Sequence, residues 1–117
     1  MHESRKVGLW GEILAVRYLR DRDYEILNVN FRAGHAEADI IAADGKLLCI
    51  AEVKTRSEDA LLPPAESVDI AKQQNLELAG GTARKLYPNC TDIRYDIIEV
   101  YYRDPKHYRI NHIKNAF

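Results

Sequence analysis

The chain has 117 residues, enough for one domain with a real hydrophobic core, and its make-up (46% hydrophobic, 30% charged, few Gly and Pro) excludes a disordered or low-complexity protein. With 17 Lys and Arg against 18 Asp and Glu the formal net charge is −1, so bulk charge neither advertises nor forbids a nucleic-acid partner; only a local basic rim would count. A polar start without a signal-peptide pattern and the lack of any apolar run long enough to span a bilayer point to a cytoplasmic protein with no membrane association.

Residues 4–20 predict a helix: Leu9, Ile13, Val16 and Leu19 recur at three-to-four spacing, with Trp10, Leu14 and Tyr18 widening the apolar face, and Asp21-Arg22-Asp23 ends it. Residues 24–31 (YEILNVNF) predict a strand, followed by a short loop at Ala33-Gly34. Residues 37–43 and 46–55 predict two further strands joined at Asp44-Gly45, because Asp-Gly between apolar runs is the signature of a two-residue type I′ hairpin turn. Cys49, inside the second of these runs, reads as a buried free thiol. After Pro63-Pro64 a second helix is expected over residues 67–86, with Val68, Ala71, Leu76, Ala79, Ala83 and Leu86 inward, weakened in its middle by Gly80-Gly81. Residues 93–102 and 108–113 predict a final strand pair around Asp104-Pro105, with His107 and His112 as edge-strand residues. Helix, three strands, helix and two strands make a single α/β domain over residues 1–117, with a mixed sheet of about five strands flanked by helices.

The hairpin carries the chemistry. A turn at Asp44-Gly45 sets Asp39 opposite Ile50, Glu37 opposite Glu52 and His35 opposite Lys54, so Glu37, Asp39, Glu52 and Lys54 share one face at the open end. The opposite face (Ala38, Ile40, Ala42, Cys49, Ala51, Val53) is uniformly apolar. Like charges opposed across a sheet repel, and buried carboxylates without partners cost several kcal/mol or take up protons. A divalent cation resolves that conflict: Mg²⁺ takes a few carboxylate oxygens, keeps several waters and leaves positions for phosphate. An acid-x-Lys triplet alone is more often an ordinary surface pair; the second acid across a hairpin of apolar strands is what points to a phosphodiester-cleaving metal site. Tyr87, Tyr95, Tyr101, Tyr102 and Tyr108 read as packing or as base-stacking residues.

Asp39 followed by Glu52-Val53-Lys54 resembles the PD-(D/E)XK signature of restriction-endonuclease-like nucleases. The whole chain is similar to the bacterial YraN-type family of uncharacterised proteins assigned to that superfamily. The similarity runs through Gly8-Leu9-Trp10-Gly11-Glu12, Tyr24-Glu25-Ile26-Leu27, Glu37-Ala38-Asp39-Ile40-Ile41-Ala42, Glu52-Val53-Lys54-Thr55-Arg56, Lys72, Arg94-Tyr95-Asp96 and Ile110-Asn111-His112-Ile113. The resemblance implies a restriction-endonuclease-like, Holliday-junction-resolvase-like sheet. It implies Asp39, Glu52 and the Val53 carbonyl as ligands of Mg²⁺ or Mn²⁺, Lys54 as the catalytic lysine, and Glu12 as a further acid at the metal cluster. Ala36 stands where the family usually has glycine and Ala38 where it has a larger aliphatic residue; neither removes a ligand. In this view Arg32, Arg56 and Lys72 meet phosphates of structured or damaged DNA, although Lys72 also reads as a lysine lying along apolar surface. The small, non-basic surface suggests a homodimer or a protein partner. The competing expectation is a module of the same fold that binds nucleic acid or protein without turnover.

Overall fold

In the computed structural model, which describes residues 2–57 and 69–117, the element order is α1 (His2–Asp21), β1 (Glu25–Ala33), β2 (Ala36–Asp44), β3 (Leu47–Ser57), α2 (Ile70–Leu86), β4 (Asp92–Asp104) and β5 (His107–Ile113). All seven elements expected from the sequence are present. The expected start of the second helix at residues 67–68 lies outside the described residues. The helix begins at Ile70, where the Asp69 carboxylate accepts the Lys72 amide at 2.8 Å and caps the first turn.

The strands form one sheet in the order β1-β2-β3-β4-β5. Every neighbouring pair is antiparallel except β3 and β4, which run parallel and are joined through α2. The architecture is an α/β domain with a mixed open sheet, compatible with a restriction-endonuclease-like fold. The helices divide the core. On one side Leu14, Ala15 and Leu19 of α1 pack on Ile40, Ala42, Cys49, Ala51, Ile98 and Val100. On the other, Leu76, Ala79 and Ala83 of α2 pack on Phe31, Ile41, Leu48 and Ile50. Each such fully buried aliphatic side chain contributes about 1.5–3 kcal/mol of transfer free energy.

The inward stripe of α1 differs from the expected one. Leu9 and Ile13 are 57% and 43% exposed, and Gly11, Leu14, Ala15 and Leu19 face the sheet instead. Size decides the rotation: Gly11 lies directly against the Thr55 side chain, where an added Cβ has no room. Asp23, at φ 66, ends the helix with the Tyr24 amide returning to the Leu19 carbonyl at 3.0 Å. In α2 the expected inward residues Ala71 and Leu86 are exposed. Gly80, expected only to weaken this helix, meets β4: a Cβ there would sit 2.5 Å from the Tyr95 hydroxyl.

The hairpin register also shifts. The turn residues are Gly45 and Lys46, with Gly45 at φ 59, so Asp44 faces Leu47 and Ile41 faces Ile50. Placing glycine first suits a II′ turn rather than the expected I′. Because the slip is an even number of residues, the side chains of the paired stretch keep their faces. The ladder stops at Ile40 and Ala51. Beyond it the apolar alternation of β2 changes side: Ala36 and Ala38 join the α2-side core, while Ile40 and Ala42 remain with α1. Asn30, at φ 52, bends β1 alongside this stretch. Asp39 stands where the side changes.

A buried polar network closes the α1 side. Asp96, 0% exposed, accepts from Arg94 Nη2 at 2.7 Å and lies 2.6 Å from His112 Nε2; it also takes the Cys49 thiol at 3.2 Å and the Asn115 amide at 3.2 Å. Arg94 Nη2 donates to the Tyr24 hydroxyl at 2.7 Å, and Tyr18 shares a 3.2 Å hydrogen bond with His112 Nδ1. His112, expected as an edge residue, has a side chain only 3% exposed and ties β5 to β4 from within. Cys49 is buried as expected, and burial beside Asp96 pushes its thiol pKa up.

Candidate active site

Asp39 reaches across the gap left where the β2–β3 ladder ends. Its Oδ2 accepts the Val53 backbone N–H at 2.7 Å, so a side chain takes over from a ladder carbonyl and holds the two strands apart at this point. Burial, reinforced by the charges of Glu12, Glu52 and Glu37, raises its pKa to about 6, while the Val53 hydrogen bond acts in the opposite direction. Asp39 forms part of two clefts. The smaller, about 100 Å³, lies toward α2 and is lined by Glu37, Asp39, Glu52, Lys72 and Asn75, with Ala38 and Leu76 behind. The larger, about 380 Å³, lies toward α1 and is lined by Arg5, Gly8, Glu12, Asp39, Val53 and Thr55, with Leu9 at its edge.

Glu52 sits in the smaller cleft with its side chain 17% exposed. Its Oε1 accepts from Lys72 Nζ at 3.0 Å, and its Oε2 is buried with no hydrogen-bond partner among the described residues. The contact with Glu52 raises the Lys72 pKa. Lys72 therefore lies over a carboxylate of the site rather than standing apart as a free phosphate contact.

The remaining expected residues divide. Glu12 comes from α1 to the Asp39 side of the larger cleft. Lys54 follows Glu52 on β3, half-buried, with Glu99 of β4 as its register partner; it lines neither cleft and makes no hydrogen bond or ion pair among the described residues. Glu37 faces Arg32 across the β1–β2 ladder in a 3.8 Å surface pair, with side chains 67% and 80% exposed. It does not oppose Glu52, because of the shifted register. Arg56 departs most from expectation. Its side chain is 9% exposed and its Nε lies 3.6 Å from Glu99 Oε2, so it is engaged with a buried acid. Glu99, 1% exposed, also accepts from Asn111 Nδ2 at 2.9 Å. The signal for Glu99 and Asp96 was present in the sequence: two acids inside the apolar run IRYDIIEV.

Among the described residues no three His, Cys, Asp or Glu side chains converge closely enough to hold a metal ion. The donor chemistry nonetheless fits a hard divalent cation. Asp39, Glu52 and the Val53 carbonyl are all oxygen donors, Mg²⁺ asks for one or two carboxylates with water completing its shell, and the orphaned Oε2 of Glu52 is an atom such an ion would satisfy.

Fold and site together define a small α/β domain of restriction-endonuclease-like architecture with an acidic cleft at the split between two central strands. The chain belongs to the Uncharacterised protein family UPF0102, whose sequence profile matches residues 11–100. Relatives described as UPF0102 proteins include one from Bacteroides thetaiotaomicron, 41% identical over 100% of this chain and 96% of its own length. Another, from Geotalea uraniireducens, is 40% identical over 98% and 91%, and one from Alkaliphilus oremlandii is 38% identical over 97% and 99%. No helix among the described residues is long and apolar enough to cross a membrane.

Proposed function

We propose that this protein is a divalent-cation-dependent nuclease of the cytoplasm that hydrolyses phosphodiester bonds in DNA, structured or damaged DNA foremost. One observation carries the proposal: Asp39 and Glu52 line one cleft, and the second has a buried oxygen without a partner among the described residues. Asp39, Glu52 and the Val53 carbonyl would hold Mg²⁺ or Mn²⁺. When bound, the ion supplies Lewis acidity toward a phosphoryl oxygen and lowers the pKa of a water. The protein's own part is positional. The Val53 amide fixes the Asp39 carboxylate and Glu12 approaches the same carboxylate from α1; Lys54, two residues past Glu52 on β3 and outside both clefts, would turn its ammonium toward the attacking water or a phosphate on binding. Arg32 is exposed and suited to the DNA backbone; Arg56 instead braces Glu99. A homodimer or a protein partner would extend this small surface along a duplex.

Calorimetric titration with Mg²⁺ or Mn²⁺, beside a cleavage assay on branched and nicked DNA, tests the proposal. Wild type should bind and cleave, and Asp39→Ala should do neither; a protein that binds no metal sinks it. The Lys72–Glu52 pair favours a second reading, a nucleic-acid-binding or protein-interaction module without turnover, because a lysine already neutralises one acid. Salt-dependent DNA association that survives Glu52→Gln, with no cleavage by wild type, would favour that module.

A further inference from the structure

Glu52 has two unlike oxygens. Oε1 is taken by the Lys72 ammonium at 3.0 Å, and Oε2 is buried without a partner among the described residues. The lysine arm is 53% exposed against 17% for the glutamate, so the ammonium reaches the cleft from solvent. Its backbone is fixed separately, by the Asp69 cap on the Lys72 amide at 2.8 Å. The ammonium can therefore leave Glu52 without disturbing the first turn of α2.

A cation on Oε2 would share one carboxylate with that ammonium, and two positive charges a few ångströms apart repel. Charge counting gives the contact a purpose. Asp39 and Glu52 together balance a divalent cation, so once a cation is bound the Lys72 ammonium is no longer needed at Glu52 and is free to meet an incoming phosphodiester. We infer that Lys72 is a tethered counter-ion that competes with the divalent cation for Glu52, holding the two-carboxylate site weakly loaded until a phosphodiester draws the ammonium away. The inference rests on the nuclease proposal and adds its regulation.

The test is calorimetric titration of Mn²⁺ alone into wild type, Lys72→Gln and Lys72→Arg. Glutamine keeps an N–H for Glu52 and removes only the charge; arginine keeps the charge. Lys72→Gln should bind Mn²⁺ about tenfold more tightly than wild type, and Lys72→Arg should stay within about twofold. Wild-type binding with unchanged or weaker binding by Lys72→Gln overturns the counter-ion role and leaves the nuclease proposal standing, as does equal tightening by both variants. No binding by any of the three overturns the nuclease proposal, and this inference with it.

Discussion

The Asp39 carboxylate and the Val53 backbone amide meet at 2.7 Å, where two central strands stop pairing. An acid in this position costs stability in its ionised form, because burial and the acids around it favour the proton.

Asp39→Asn should therefore stabilise the metal-free protein at neutral pH. With a folded pKa of about 6 against 3.8 for an ordinary aspartate, the folded state holds the proton more tightly, so stability from this group is highest below about pH 4 and falls as pH rises to 6 and beyond. Asparagine keeps an oxygen for the Val53 amide and removes the charge. The expected gain is about 1–3 kcal/mol at pH 7.5, absent at pH 4, measured by urea denaturation. A variant less stable than wild type at pH 7.5 would contradict it.

Asp96 should behave in the opposite sense. Burial alone would raise its pKa, but hydrogen bonds from His112, Arg94 and Cys49 outweigh it and hold the carboxyl well below the usual range. Its contribution is then complete above the ordinary carboxylate pKa of about 4 and fades as pH falls through the lower folded value. His112→Ala removes one of these partners and leaves buried charge less compensated. The expected loss is about 2–4 kcal/mol at pH 7, read from denaturant midpoints; a loss below about 0.5 kcal/mol would place the network's strength elsewhere.

Glycines in the two helices should respond differently to alanine. Gly81→Ala, with nothing within 4 Å of the new methyl, should stabilise by about 0.5–1 kcal/mol through helix propensity. Gly11→Ala must push α1 off Thr55 and should destabilise by about 1–3 kcal/mol despite the same propensity gain. Thermal melts of the two variants should move in opposite directions.

Arg32 and Arg56 separate binding from stability. Arg56→Ala strips a buried partner from Glu99 and should lower the melting temperature. Arg32→Ala, at an exposed pair worth about 0–1 kcal/mol, should leave the melt unchanged. If Arg32 meets a phosphate, its loss should weaken DNA association and reduce the salt slope by about 1.

The element order and the two strands carrying Asp39 and Glu52 were legible because hydrophobic periodicity and the Asp-Gly signal are local. The register was not, since it turned on whether Gly45 is the first or second turn residue, and that choice changes which acids oppose each other. Counting apolar residues likewise overvalued Leu9 and Ile13, whereas close approach through Gly11 sets the helix face. Arg56 and Lys72 look alike in the sequence as basic residues near the motif. Their separation, one inward against Glu99 and one over Glu52, follows from long-range contacts, of Arg56 to β4 and of Lys72 to β3, that no local pattern encodes.

Because a titrating carboxylate, not a neighbouring strand's carbonyl, holds the Val53 N–H, that amide is a spectroscopic reporter built into the backbone. Its proton resonance should follow Asp39 through its titration near pH 6 and move again when a cation takes the carboxylate's charge. The amides of Ala51 and Cys49, inside the regular ladder, provide an internal reference. Loading of the cleft can thus be watched at one nitrogen, with no substrate in the tube.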